Sequence, residues 1–237
     1  RYIYDLLLLV SRQKVGCNIG GVFANVFAYA DDIVLLAPSW QALQALLRVL
    51  ENGILAIDMS CNTRKTVCMV FSPRQKRKVV SPHFPPLRLF GTDLLYVDNF
   101  KYLGHIIDNK LNDDADIQRE IRNLFTRANI LTRRFSLCSQ SVKVALFKSY
   151  CISLYGCALW RNHTVGSLSK LRSCYHRCVK TFFGYKRHDS MTAVLFKLSI
   201  PSFNTLLHNS RCILRSQTVN CINSLLQACC NRVAAII

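Results

Sequence analysis

The stretch from Phe23 to Ala37, FANVFAYADDIVLLA, is apolar apart from Asn25 and two adjacent acids, Asp31 and Asp32. A buried carboxylate needs a partner or a metal. Two such neighbours also repel, by about 4 kcal/mol at ~4 Å and an effective dielectric near 20. A bend resolves the conflict. Phe23–Tyr29 and Ile33–Ala37 read as β-rich runs, with the acids at the turn between them. Upstream, Val15–Ile19, Gly20-Gly21 and Phe23–Tyr29 read as another hairpin, Gly-Gly supplying the positive φ of a tight turn.

The pattern downstream divides the chain near residue 111. Ser39 can cap a helix with Leu43, Leu46, Leu47 and Leu50 on one face, ended by Asn52-Gly53. Strand-like pieces follow at Thr66–Phe71, Leu87–Phe90, Leu94–Val97 and Tyr102–Ile107. The charged SPRQKRK (Ser72–Lys78) and the proline-rich SPHFPP (Ser81–Pro86) read as a surface loop. From Asn112, a candidate N-cap, the period changes. Ile117, Ile121, Leu124, Phe125, Ala128 and Leu131 trace one helix face, with Arg119, Arg122, Arg127 and Arg133 off it. Asp113, Asp114 and Asp116 suit the positive end of its dipole. Further helices are expected over Ser141–Tyr155, Ser167–Phe183 and Ser202–Arg215. Within the second of these, Leu168, Leu171, Tyr175, Cys178 and Phe182 point inward, with Lys170, Arg172, Arg177 and Lys180 outward. The expected fold is α+β, with a sheet-bearing part over residues 1–111 and a helical part over 112–237.

Charge follows the same division. Residues 121–237 hold 17 of the 31 Lys and Arg but one of the 13 acids, Asp189, for a net +16 against +2 in residues 1–120. A one-signed field of this size suits a polyanion, most simply nucleic acid. No apolar run approaches the ~20 residues that cross a bilayer, and no long basic amphipathic helix with an unbroken apolar face argues for the rival polyanion, an anionic membrane surface, so no membrane partner is expected. The twelve cysteines include no CxxC pair. Cys174 and Cys178 share a helix face with Leu171 and Val179 and read, with His176, as core rather than zinc ligands, as expected of a reducing intracellular compartment, nucleus or cytoplasm.

Two adjacent acids at a hairpin tip beside a tyrosine offer hard oxygens to a divalent cation, and FAYADDIVLLAP resembles the YxDD metal-binding motif of reverse transcriptases, in detail the non-LTR retrotransposon branch. Three more segments fall in that family's order. VGCNIGG (Val15–Gly21) resembles the strand and turn before the hairpin. NTRKT (Asn62–Thr66) resembles the palm motif N-x-x-K-T, and FKYLGHII (Phe100–Ile107) the F-x-Y-L-G primer grip. The resemblance implies a polymerase palm, with its small antiparallel sheet, followed by a basic helical thumb. It implies Mg²⁺ or Mn²⁺ as cofactor, and an RNA template, a DNA primer and deoxynucleoside triphosphates as partners. Asp31 would be the principal metal ligand and Asp32 its neighbour. Tyr29 would pack beside the primer terminus, Lys65 would approach the triphosphate, and Phe100, Tyr102, Leu103 and Gly104 would hold the primer. The outward Lys170, Arg172, Arg177 and Lys180 would track phosphates.

One departure from the family matters. Its further metal-binding aspartate on an earlier palm strand, and its motif ending S-P-x-x-F, have no counterpart here; Asp5 is the one acid before the pair. The expectation is therefore a C-terminal palm and thumb piece with an incomplete active site. The rival expectation is a nucleic-acid-binding remnant of such an element, without catalysis.

Overall fold

Asn25 decides how the first apolar stretch is cut. Its side chain is buried, and Nδ2 lies 3.0 Å from the carbonyl of Val10, 3.1 Å from that of Gln13 and 3.1 Å from that of Val15. A buried amide persists where its hydrogen bonds are made, so the strand expected over Phe23–Tyr29 breaks here. In the computed structural model, which describes residues 2–19, 21–72 and 84–234, helix α1 (Tyr2–Ser11) leads into β1 (Cys17–Ile19), which pairs antiparallel with β2 (Val22–Ala24). After Asn25, β3 (Val26–Tyr29) pairs antiparallel with β4 (Asp32–Leu35). Gly21 takes φ +87° in the first turn; Gly20 lies outside the described residues.

The chain divides into two compact units, Arg1–Asp98 with Gln217–Ile237, and Asn99–Ser216. The first is organised by α2 (Trp40–Ala56), capped as expected by Ser39, whose Oγ accepts from the Ala42 amide at 3.2 Å. The helix does not stop at Asn52-Gly53. Gly53 is buried, and a Cβ there would fall on the Leu6 side chain, so this glycine lets α1 approach closely. Leu46, Leu50 and Ile54 pack on Leu6 and Val10. The other side of α2 sends Leu47 against Cys68, Leu87, Leu89 and Leu94.

Of these, Cys68 and Leu89 lie in minimal strands, and Leu87 and Leu94 flank them. β5 (Val67–Cys68) pairs in parallel with β8 (Leu95–Tyr96), and β6 (Arg88–Leu89) antiparallel with β7 (Thr92–Asp93). Gln44 replaces a strand neighbour for Arg88, accepting from its N–H at 2.9 Å and donating to its carbonyl at 2.9 Å. Most of the expected loop, residues 73–83, lies outside the described residues. Near its end the Pro85 carbonyl accepts from Trp40 Nε1 and the Tyr96 hydroxyl, both at 2.9 Å.

In the second unit, β9 (Asn99–Tyr102) and β10 (His105–Asp108) form a hairpin where one strand was expected over Tyr102–Ile107. Leu103 (φ +46°) and Gly104 (φ +83°) make the turn, the two positive angles a tight two-residue connection demands. Helices follow: α3 (Asp114–Phe135), α4 (Gln140–Tyr150), α5 (Val165–Phe183), α6 (Met191–Leu198) and α7 (Phe203–Val219), with α8 (Ser224–Ala234) in the first unit. Ile117, Leu124, Ala128 and Leu131 of α3 share a core with Leu171, Tyr175, Cys178 and Phe182 of α5, the faces read from the periodicity. Asn112 is not the N-cap of α3. Asp113 takes that place, and Asn112 Oδ1 accepts from the Asp114 amide at 2.9 Å. Cys151 closes α4 short of Tyr155, and α6 was not expected at all.

The architecture is α+β, but the described strands form five separate two-stranded pairings, one of them parallel, in place of one small antiparallel sheet. Among the described residues, no helix is long and apolar enough to cross a membrane.

Candidate functional site

The β3–β4 hairpin holds the acids at its tip. Ala30 and Asp31 make the two-residue connection, and Tyr29 sits opposite Asp32 in register. Such a turn needs positive φ, and Ala30 supplies it at +50°. A Cβ in that region costs about 1–2 kcal/mol. Val26, Ile33 and Leu35 tie the hairpin to the core around α2, while Tyr29 is 64 % exposed. Asp31 and Asp32 are both exposed. Among the described residues, neither carboxylate has a hydrogen bond or ion pair. Solvent reduces their mutual repulsion to about 1 kcal/mol at ~4 Å. The apolar run therefore buries its flanks and delivers the acids, unpartnered, to water.

Lys65 stands at a separate turn of the same unit. Asn62 Oδ1 accepts from the Lys65 amide at 3.1 Å, and the Asn62 carbonyl accepts from the Thr66 amide at 3.1 Å and its hydroxyl at 2.9 Å. The Asn and Thr of NTRKT are thus the two ends of one locked turn, which leaves Lys65 exposed.

Phe100, Tyr102, Leu103 and Gly104 lie on the β9–β10 hairpin in the second unit. Phe100 is exposed and Tyr102 half-buried. What fixes this hairpin was missed in the sequence. Asp116, read as a helix-dipole acid, is buried and accepts four side-chain and backbone partners. They are His105 Nδ1 (3.1 Å), the Ile106 amide (2.9 Å), Trp160 Nε1 (2.8 Å) and Arg119, through Nε at 2.6 Å and Nη2 at 3.2 Å. Arg119, expected off the apolar stripe, is buried as well. It also reaches Glu120 at 3.1 Å, and Glu120, fully buried, takes Arg127 Nη2 at 2.5 Å. Burial alone would raise the Asp116 carboxyl, but the hydrogen bonds from Arg119, Trp160, Ile106 and His105 outweigh it and hold the group well below the usual carboxylate range. One signal was legible: Glu120 stands three residues after Ile117 and four before Leu124, an acid in phase with the apolar stripe.

The basic side chains of α5 divide by their contacts. Lys170 is exposed with no partner among the described residues. Arg177 lies 5.7 Å over the Phe125 ring, and Arg172 donates to Asn204 Oδ1 at 3.1 Å. Lys180 donates to the carbonyls of Arg187 (2.8 Å) and Asp189 (2.6 Å), so it fastens the turn after α5. The second unit carries 19 Lys and Arg against six acids. Each acid already accepts hydrogen bonds: Asp108, Asp113, Asp114, Asp116, Glu120 and Asp189. The carboxylates serve the fold, and most of the cations, though not Arg119, Arg127, Lys143 or Lys180, are exposed.

Comparison with known proteins sets these motifs in context. Over 128 residues the chain is 30% identical to the Retrovirus-related Pol polyprotein from type-1 retrotransposable element R2 of Nasonia vitripennis. The chain is similar to retrotransposon Pol polyproteins. The match takes in 49% of the chain and 12% of that protein. The corresponding polyprotein from type-2 element R2DM of Drosophila melanogaster is 30% identical over 112 residues, 43% of the chain and 10% of its own length. The chain thus spans about a tenth of the length of the curated relatives it matches. No family model and no solved structure matches it. The likeness to non-LTR retrotransposon proteins, read from four short motifs, is borne out.

Proposed function

We propose that this chain belongs to the reverse transcriptase of a non-LTR retrotransposable element, with palm residues in 1–111 and thumb residues in 112–237. The observation that carries the reading is the Asp31–Asp32 pair, exposed and unpartnered at a strained hairpin tip, in a chain similar to retrotransposon Pol polyproteins. The reaction is extension of a DNA 3′-hydroxyl on an RNA template with deoxynucleoside triphosphates.

Two free carboxylates fit Mg²⁺ or Mn²⁺, which take one or two protein carboxylates and complete their shell with water and substrate phosphates. Such an ion supplies charge stabilisation to in-line nucleotidyl transfer. The chain's own residues do the rest. Asp31 and Asp32 present oxygens at the turn, and the exposed Tyr29 ring lies against the primer terminus. Lys65, released from local contacts by the Asn62 turn, meets the triphosphate. Its ammonium steadies developing charge and can hand a proton to departing pyrophosphate. Phe100, Tyr102, Leu103 and Gly104 hold the primer end. The cations of the second unit bind phosphate without reading sequence.

The charge distribution also supports the second reading, nucleic-acid binding without catalysis. Primer extension on an RNA template, measured with this chain placed in the matching segment of a full-length retrotransposon Pol polyprotein, separates the two. The reverse transcriptase reading expects extension that needs Mg²⁺ and is lost in Asp31→Asn; extension undiminished in that variant would refute it, and binding without extension by the parent favours the rival. The 237 residues alone, with two candidate ligands, are expected to bind and not to extend.

A further inference from the structure

The β9–β10 hairpin is held by residues that are not part of it. Asp116 of α3 accepts from two consecutive hairpin residues, His105 through Nδ1 and Ile106 through its amide. From the segment after α4, the Tyr155 hydroxyl donates to the carbonyl of Leu103, at the turn itself, at 3.1 Å. The Tyr155 ring stacks on the His105 imidazole with centroids 4.6 Å apart and planes 17° from parallel. Gly156 is required by space, and Gly104 is favoured by its positive φ in the turn. A Cβ on Gly104 would stand 3.2 Å from the Tyr155 ring, and a Cβ on Gly156 would fall inside the His105 imidazole. Arg119 closes the arrangement, bonding Asp116 and the Tyr155 carbonyl (3.3 Å) while its guanidinium lies 5.9 Å over the Tyr155 ring.

A two-stranded hairpin is marginally stable by itself. Here the turn is gripped from one side by a carboxylate and from the other by a phenol, and those two are linked through Arg119. We infer that Asp116 and Tyr155 are positioning residues that fix the pose in which the β9–β10 hairpin meets a recessed 3′ end. The inference rests on the primer-holding reading of Phe100–Gly104, and adds the parts of the protein that set its geometry. Neither positioning residue needs to touch nucleic acid. Their effect passes through the backbone of Leu103 and Ile106, so it is felt at the primer terminus and not along the phosphate track.

The test uses Tyr155→Phe, which keeps the stacked ring and removes the bond to Leu103, and Asp116→Asn, which keeps the shape and removes the charge. Two quantities are measured on the chain: amide hydrogen exchange in residues 99–108, and affinity for an RNA–DNA duplex with a recessed DNA 3′ end against a blunt duplex of equal length. Tyr155→Phe should speed hairpin exchange and weaken the recessed-end complex about three- to tenfold, the worth of one net hydrogen bond, with the blunt duplex unaffected. A general structural defect would weaken both duplexes alike and would overturn the inference. Parent-like exchange in Tyr155→Phe would also overturn it, whether or not Asp116→Asn folds. Faster exchange with unchanged recessed-end affinity would leave the clasp intact and overturn the primer-holding reading on which the inference rests.

Discussion

Two groups of acids in this chain have opposite fates. Asp116 and Glu120 are buried, and each of their carboxylate oxygens accepts from Arg119, Arg127, Trp160, His105 or a backbone amide. Asp31 and Asp32 stand in solvent with no partner among the described residues. The difference lies in how the backbone presents them. Asp116 and Glu120 sit one helical turn apart on α3, beside the core-facing stripe, where a charge must be paired to be tolerated. Asp31 and Asp32 sit where a hairpin reverses, so the apolar residues around them can be buried while they are not. Composition does not distinguish a structural acid from one available to a cation; the donors around it do.

Removing a carboxylate from the buried group should have the largest effect on stability. Asp116→Ala leaves Arg119 buried without its main partner, and an orphaned buried charge costs about 3–5 kcal/mol. Urea unfolding of the chain should show it. Protonation approaches the same end. Because the Asp116 carboxyl is held below its unfolded value, its contribution is fully present above about pH 4, the ordinary range of an aspartate, and fades as pH falls further. The acid limb of a stability–pH curve should therefore flatten in Asp116→Asn. Trp160→Phe withdraws one of the donors to Asp116 and should cost about 1–2 kcal/mol.

The exposed group should respond weakly, and in one case in the other direction. Ala30→Gly relieves the positive φ of the tip and should change stability by less than about 1 kcal/mol, as a gain if relief of strain exceeds the added chain entropy. Asp31→Asn and Asp32→Asn should each fall within about ±0.5 kcal/mol. A loss of several kcal/mol in either would mean that the tip carries a structural contact, and the contrast between the two groups would disappear.

How much of this was legible in the sequence follows from range. The hairpin around Asp31-Asp32, the Ser39 cap and the α3 and α5 faces are local patterns of period or of a single turn, and each was read correctly. The errors came where a distant residue decides. Asn25 breaks a strand because carbonyls at Val10, Gln13 and Val15 need its amide. Gly53 does not end α2 because Leu6 packs on it. Periodicity puts Arg119 off the apolar stripe and Asp116 at the helix dipole, and does not show their burial, because two of their partners, Tyr155 and Trp160, are more than 30 residues away in sequence. Of the expected site residues, Lys180 reads differently in the structure, since its ammonium is held by two carbonyls. Lys170, Arg172 and Arg177 are the better set for a phosphate track. If about six cations touch a duplex, the log–log salt slope is near −5, and changing these three to Gln should halve it.

The central claim is that the exposed acid pair, and not the buried one, is the place for a divalent cation. Mn²⁺ titrated into the isotopically labelled chain measures this directly, because its unpaired electrons broaden the amide signals near wherever it binds. The account predicts broadening centred on residues 29–33, displaced by Mg²⁺ and abolished in the Asp31→Asn, Asp32→Asn double variant, with α3 around Asp116 unaffected. Broadening that persists in the double variant, or that centres on α3, would contradict it.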